Sequence, residues 1–372
     1  MRVALDVRPA LSRPTGVGVY IGSLAEALPR ADAASRFTLF TSSLRERWSR
    51  PPSAQNAEVV DRRIPVSLLN FAWNRMSWPP IEDLCGRDFD IVHSPHALLT
   101  PVRRARRIVS IHDLFFYKHR EMTGGEIRRD YAPLVREHAG KADGIIAPSE
   151  YTAREIERLL GIGREKVCVT LYAVDPVFRI PPTPVEAQGL LTRLGLSRGG
   201  ILYVGSEEKR KNLEVLTSAY RALARRMQDP PPLVMVGPGG AWNSTGAPGG
   251  PRIVTTGHLE TREIRALMSA CACLVLVSLD EGFGLPVVEA MTAGLPVVCS
   301  RGSSLEEMAA GAAELVDDPR SESAIVEALV RVVEDPERAA RLRTAGLERS
   351  RIFDWDRTAE QTLAFYRRVL GS

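Results

Sequence analysis

The sequence predicts an α/β fold of two Rossmann-like domains facing each other across a cleft. Short β-branched runs alternate with amphipathic stretches along the whole chain. Apolar runs of about 4–6 residues bounded by turn residues are the pattern of buried parallel strands. A Pro-rich break between Asp175 and Gly200, with Pro176, Pro181, Pro182 and Pro184, divides the alternation in two. At 372 residues the chain has room for two or three domains, each with its own core.

The first half supplies RVALDV, FTLFTS, DIVHSP, RIVSIHD, GIIAPS and VCVTLY as strands; the second supplies GILYVGS, LVMVGP, RIVTTG, CLVLVS, LPVVCS and AAELV. The domains are accordingly expected at 1–178 and 195–354, with the Pro-rich stretch as a linker. Doubly wound sheets bind ligands beyond the carboxyl ends of their strands, so the facing cleft is the expected site. Loop 237–251 is rich in Gly and Pro, and its Asn243-Ser244-Thr245 sequon carries no meaning in a cytosolic protein.

Hydrophobic content of 44% and charged content of 25% are ordinary for a globular chain. Cys85, Cys168, Cys271, Cys273 and Cys299 are odd in number and lie mostly in apolar runs, which points to reduced thiols and a cytoplasmic location. Cys271-Ala-Cys273 has neither the spacing nor the histidines of a metal site. Met1 leads straight into a strand pattern, so no signal peptide is expected, and no apolar run approaches the ~18 residues of a membrane span. Residues 1–180 carry 27 Lys/Arg against 21 Asp/Glu, and residues 181–372 carry 22 against 24. The sharpest basic run is Arg103, Arg104, Arg106 and Arg107. It is either a solvated loop or a patch for anionic lipid head groups or a phosphorylated acceptor, which would give peripheral association at the inner membrane face. Nucleic acid is not expected as a partner, because no aromatic-interleaved basic motif occurs.

The segment SLDEGFGLPVVEAMTAGLPVV, residues 278–298, carries the densest chemistry. It reads as a strand ending at Asp280, a Gly282-Phe283-Gly284 turn, and a short helix with Pro286 at its first position and Gly294 as C-cap. The helix N-terminus offers free N–H groups to a phosphate, and the glycines let a ligand come close to the backbone. Glu281 and Glu289 flank that site. Two carboxylates beside a phosphate suit hydroxyls, a sugar on one side and a ribose on the other, which is the layout of a nucleotide-sugar. The plain alternative is a pair of helix-start glutamates favoured by the dipole.

This segment resembles the glutamate-x7-glutamate motif of the family-4 retaining glycosyltransferases, which have the two-domain GT-B fold. SIHDLFF, IIAPSEYTAREI, KRKNL, TTGHLE, SSLEEM and FDW accompany it in the family's order, so the resemblance covers essentially the whole chain. The flavour is that of the bacterial mannosyltransferase-like branch. It implies that Glu281 bonds hydroxyls of the donor sugar, that Glu289 bonds the ribose, and that Lys211 contacts the donor diphosphate. Many relatives have an arginine where this chain has Ser206, which makes Arg210 the substitute cation. His112 matches the histidine of a histidine–aspartate pair near the donor sugar, with Asp113 supporting it or capping the next segment. The resemblance also implies that the loop bearing Gly16 and Gly18 approaches the donor phosphate and the acceptor. His258 and Leu259, after Gly257, would read the base through the backbone. Gly282, Phe283, Gly284 and Leu285 would line the diphosphate loop, where Leu285 can donate an N–H and Pro286 cannot. Tyr172-Ala173 replaces a common asparagine–glycine pair, and Val277 a common proline. The amphipathic segment DWDRTAEQTLAFYRRVL, about residues 355–372, is implied to cross back onto the first domain.

The function so implied is transfer of a hexosyl unit from a nucleotide diphosphate sugar to an acceptor hydroxyl, with retention, in polysaccharide or glycolipid assembly. GDP-mannose is the first choice of donor, with rhamnose or glucose donors as alternatives. By the resemblance, the acceptor attacks from the leaving-group face and a donor phosphate oxygen takes its proton. No metal or cofactor is expected, since no Asp-x-Asp triplet suited to holding a divalent cation appears. No pair of carboxylates straddles a bond as a double-displacement glycosidase requires. The rivals are a catalytically silent nucleotide-sugar binding protein, and an epimerase or a pyridoxal-dependent phosphorylase on the same fold. A dehydrogenase is disfavoured by the lack of a G-x-G-x-x-G turn after a strand. The acceptor is expected to be a glycan or lipid-linked. Loop 66–80, VSLLNFAWNRMSWPP, either buries in the core or docks such an acceptor at a membrane surface.

Overall fold

Seven parallel strands form the first sheet in the order β3-β2-β1-β4-β5-β6-β7. They are β1 (Arg2–Asp6), β2 (Arg36–Thr41), β3 (Ala57–Asp61), β4 (Ile91–Ser94), β5 (Arg106–Ser110), β6 (Gly144–Ala147) and β7 (Val167–Val169). The computed structural model describes residues 1–11, 16–50, 52, 54–125, 127–237, 243–245 and 252–371. Strands β4 and β6 are buried at every position, as sheets covered by helices on both faces require. Strand β3 was not read from the sequence. It lies at the sheet edge, and Glu58 and Asp61 interrupt its apolar pattern.

The second sheet runs β10-β11-β9-β8-β12-β13-β14. Its strands are β8 (Ile201–Val204), β9 (Leu233–Val236), β10 (Asn243–Thr245), β11 (Ile253–Gly257), β12 (Cys273–Leu276), β13 (Val297–Ser300) and β14 (Glu314–Val316). All neighbours are parallel except β10, which pairs antiparallel with β11. That edge strand carries the sequon and was also missed; most of loop 237–251 lies outside the described residues. Strand β12 ends at Leu276, short of the expected Asp280.

The chain divides into two units, Met1–Ala173 with Phe353–Ser372, and Val174–Ile352. In the first unit the helix Trp355–Leu370 packs along the helix Gly16–Ala31. Asp354 caps it by accepting from the N–H groups of Asp356 and Arg357 at 2.9 and 3.3 Å. Arg367 pairs with Asp32 at 2.8 Å, and the Tyr366 hydroxyl lies 2.7 Å from His93 Nδ1.

The Pro-rich break is not a linker. Asp175 caps a short turn at Pro176–Arg179, and residues Pro184–Arg193 form a helix packed on the helix Thr261–Ala270 of the second unit. Thr183 and Glu186 make a reciprocal capping box with Pro184 in the first turn, so proline starts this helix. In the basic run carboxylates meet three of the four arginines. Arg103 pairs with Asp83, while Arg106 and Arg107 lie 3.2 and 3.3 Å from Asp143. Among the described residues no helix is long and apolar enough to cross a membrane.

Candidate active site

In a doubly wound sheet the crevice opens where neighbouring strands send their connections to opposite sides. In the second unit that point lies between β8 and β12, whose following segments carry Arg210 and Lys211 on one side and Ser278 and Glu281 on the other. Glu281 joins them. Its Oε1 accepts from Lys211 Nζ at 2.5 Å and from the Ser278 hydroxyl at 2.8 Å, while its Oε2 accepts from Arg210 Nη1 at 2.5 Å. Arg210 also gives its Nε–H to Glu208 at 2.7 Å, and Glu208 accepts from the Ser206 hydroxyl at 2.7 Å. Glu281 and Lys211 are both buried. Burial alone would raise the Glu281 carboxyl, but the charges of Lys211 and Arg210 outweigh it and hold the group below its ordinary range.

The backbone fixes these side chains. The Leu279 N–H donates to the Arg210 carbonyl at 2.8 Å, tying the two segments together. Asn212, in the left-handed region at φ 60°, donates its amide to the carbonyls of Val277 and Pro319 at 3.2 and 2.6 Å. The Ser304 hydroxyl donates to the Glu281 carbonyl at 2.7 Å. Ser278, Asn212 and Ser304 lie within the quoted segments SLDEGFGLPVVEAMTAGLPVV, KRKNL and SSLEEM but carried no role of their own there, and Glu208 was not singled out.

Gly284, at φ 92°, caps the helix Leu285–Thr292. A Cβ there would fall 2.2 Å from Leu305 Cδ2, so the backbone conformation demands glycine and the Leu305 side chain would have to move for anything larger. The helix begins at Leu285, so Pro286 stands second rather than first. Ala293 is the C-cap, and Gly294 follows in the left-handed region with the Leu295 N–H reaching Ala290 O at 2.8 Å, a Schellman closure. Glu289, one turn inside, is half-buried and its carboxylate has no hydrogen-bond or ion-pair partner among the described residues. Burial, then the negative charge of Asp175, pushes it up to about 7. Phe283 and Leu259 are buried, whereas the His258 side chain stands exposed after β11.

In the first unit His112 lies two residues beyond β5. Its Nε2 is 3.0 Å from the Pro95 carbonyl and its Nδ1 meets the Tyr172 hydroxyl. A carbonyl only accepts, so Nε2 carries the proton and Nδ1 accepts from Tyr172. Burial lowers this imidazole to about 4 and keeps it neutral. Both ring nitrogens are therefore committed, and bonding a sugar hydroxyl requires one to be released. Asp113 accepts from the Phe115 N–H at 3.2 Å. Gly16 opens the helix Gly16–Ala31 and Gly18 is buried within it, so neither is in a loop before the helix; residues 12–15 lie outside the described residues.

The crevice of this sheet lies between β1 and β4, and sequence reasoning missed what stands there. Asp6, fully buried, takes both Nε and Nη2 of Arg8 at 2.9 and 2.7 Å and His96 Nε2 at 3.1 Å. Arg8 Nη1 donates to Asn70 at 3.0 Å over the Trp73 ring. Isolated polar residues at strand ends gave no pattern to read.

Two Asp-x-Asp spacings do occur, and both are structural. Asp90 of Asp88-Phe89-Asp90 accepts from Arg2, and Asp354 of Asp354-Trp355-Asp356 is the helix cap described above.

Residues 197–349 match the family described as glycosyl transferases group 1, and residues 14–178 match glycosyltransferase family 4. The chain is 28% identical to the O-antigen chain mannosyltransferase B of Escherichia coli over 99% of this chain and 100% of that one. It is 28% identical to an MMP alpha-(1->4)-mannosyltransferase of Mycolicibacterium hassiacum over 77% of this chain and 73% of that one. Its fold is similar to that of sucrose-phosphate synthase from Thermosynechococcus elongatus, with a TM-score of 0.75 at 20% identity, covering 100% and 99% of the two chains. The two family matches together span most of the sequence, and with the paired doubly wound sheets they identify this chain as a glycosyltransferase of family 4, with the GT-B fold and a resemblance to bacterial mannosyltransferases.

Proposed function

We propose that this enzyme moves a hexosyl unit, mannose first, from a nucleotide diphosphate sugar to an acceptor hydroxyl in polysaccharide or glycolipid assembly, with retention and without a metal. The observation that carries this reading is the convergence of Arg210 and Lys211 on Glu281 beside the Gly282–Gly284 turn. As the bond from the anomeric carbon to phosphate breaks, negative charge grows on the leaving diphosphate. Two fixed cations stabilise that charge where other transferases use a divalent ion. Lys211 spends one of its three ammonium donors on Glu281, so it has donors to offer a phosphate without giving up its partner.

Glu281 then serves the sugar hydroxyls and Glu289 the ribose, with the N–H of Leu285 and the turn Gly282, Phe283 and Gly284 against the diphosphate and the backbone at His258 and Leu259 against the base. Arg210 takes the place of the arginine absent at Ser206. His112 acts near the donor sugar, and Gly16 and Gly18 approach the donor phosphate and the acceptor, as the resemblance implies. The acceptor oxygen bonds the anomeric carbon, and its proton passes to a phosphate oxygen of the departing nucleoside diphosphate. The mannosyltransferase names of the two sequence relatives support the choice of mannose. Five unpaired cysteines, four of them buried, support work in a reducing compartment.

Nucleotide release from guanine, uridine and thymidine diphosphate sugars, with and without EDTA, tests the reading. One donor should turn over regardless of EDTA and cease to do so in Glu281→Gln. Donor binding without release in the presence of glycan acceptors would instead favour the silent binding protein.

A further inference from the structure

Ten large apolar side chains are exposed among the described residues, and five of them, Val66, Leu68, Phe71, Met76 and Trp78, fall within the 13 residues 66–78. The segment forms a helix at Val66–Phe71 that continues as a wider turn at Ala72–Met76. One face is core: Leu69 and Trp73 pack with Phe40, Ile81 and Phe89. The other face carries Leu68 and Phe71, three positions apart, at 58% and 60% exposure, followed by Met76 at 63% and Trp78 at 61%. Helical residues at that spacing share a face. This helix is thus apolar on both sides, although only one has a partner within the unit.

Charge selects the partner. Residues 62–80 contain Arg62, Arg63 and Arg75, all exposed, and no acidic residue. The acids at the ends of the stretch are engaged elsewhere through one oxygen each: Asp61 lies 3.4 Å from Arg47, and Glu82 is buried with Oε1 accepting from the Arg103 N–H. The Ser42 hydroxyl reaches the Ile64 carbonyl at 2.9 Å, which brings the loop with exposed Leu44 and Arg45 alongside, with Glu46 beside them. A protein partner fitted to three arginines would need matching acids, whereas a bilayer of anionic lipids offers negative head groups above an apolar interior. Tryptophan and arginine, amphipathic side chains, are suited to that boundary.

We propose that residues 62–78 dock the first unit on an anionic membrane surface, with Leu68, Phe71, Met76 and Trp78 entering the head-group boundary and Arg62, Arg63 and Arg75 contacting phosphates. The arginines at 103–107 have no part in it, since carboxylates already meet most of them. Docking is independent of the donor chemistry and is read without a nucleotide sugar.

Co-sedimentation with vesicles of phosphatidylcholine, alone or mixed with phosphatidylglycerol, tests the proposal on the whole chain. The protein should pellet with the mixed vesicles, more weakly as salt rises. The triple variant Leu68→Ser/Phe71→Ser/Trp78→Ser should lose binding by on the order of tenfold or more. The second variant, Arg63→Glu/Arg75→Glu, keeps the apolar face and should lose the preference for phosphatidylglycerol. Donor hydrolysis and circular dichroism, unchanged in both, establish that the variants fold. Equal pelleting of wild type and both variants, or no pelleting of wild type, overturns the proposal. So does a wild-type dimer that the triple variant dissolves while vesicles bind neither, which would make this face a contact between copies of the chain.

Discussion

Lys211 and Glu281 stand 70 residues apart in sequence and meet through Nζ and Oε1 at 2.5 Å, with Arg210 on the other carboxylate oxygen. The glutamate expected at the sugar is thus also what orders the two cations expected at the diphosphate. Glu281→Ala leaves a buried lysine unpaired and should lower stability by about 3 kcal/mol. Glu281→Gln keeps the size and one accepting oxygen, although its –NH2 must face one of the cations, and should cost less while still abolishing turnover. Denaturant midpoints of the two variants check this, and equal stabilities would show that the ion pair orders nothing.

Lys211→Ala and Arg210→Ala should each lower kcat by about 10²–10³, the loss typical when one preorganised charge-stabilising donor is removed. Arg210 shares Glu281 with Lys211, so the double variant should lose less than the product of the two. Steady-state kinetics on the donor identified above reads both effects. A full loss in Lys211→Ala with none in Arg210→Ala would deny Arg210 the role left open by Ser206.

Glu289 titrates near neutrality because burial, then Asp175, pushes its carboxyl from 4.5 to about 7. The folded state therefore holds this proton more tightly than the unfolded chain. The resulting stability is fully present below about pH 4.5 and is lost as pH rises through about 7. Ribose hydroxyls donate to the ionised carboxylate, so donor binding should release a proton and strengthen as pH rises through the same range. Calorimetry in buffers of different ionisation heat measures that proton, and Glu289→Gln should remove it. Binding of equal strength on both sides of neutrality would separate Glu289 from the ribose.

Gly284→Ala places a Cβ 2.2 Å from Leu305 Cδ2 at a backbone angle of φ 92°. Strain of this kind costs about 1–3 kcal/mol. The turn should open, with donor affinity and thermal stability falling together. An alanine variant with unaltered donor affinity would show that the turn does not touch the donor.

Tyr172 donates to His112 Nδ1, and the Pro95 carbonyl fixes the proton on Nε2. Tyr172→Phe removes one hydrogen bond, about 1 kcal/mol, so turnover should fall by roughly fivefold. The ¹⁵N shifts of the imidazole should show the Nε2–H tautomer in wild type. The Nδ1–H form would contradict the assignment.

The sheets were legible because buried parallel strands are continuous apolar runs. The two strands that were not read, β3 and β10, are edges, where Glu58 and Asp61 or an Asn-Ser-Thr run replace the apolar pattern. The helix Pro184–Arg193 was hidden by its prolines, although Thr183, Pro184 and Glu186 together spell a helix start. Glu281 and Glu289 were legible from local chemistry, but their different states were not. One is held ionised by cations from a distant segment, and the other has no partner among the described residues and lies under the charge of Asp175. The Asp6, Arg8 and His96 cluster is likewise tertiary, since its members come from the ends of β1 and β4, neighbours only in the folded sheet.

The most direct test of the central claim is release of nucleoside diphosphate from GDP-mannose in EDTA by wild type and by Lys211→Ala. The account predicts release in EDTA by wild type, reduced about a hundredfold or more by the substitution. No release from this or any other nucleotide sugar, or equal release by the two proteins, would contradict it.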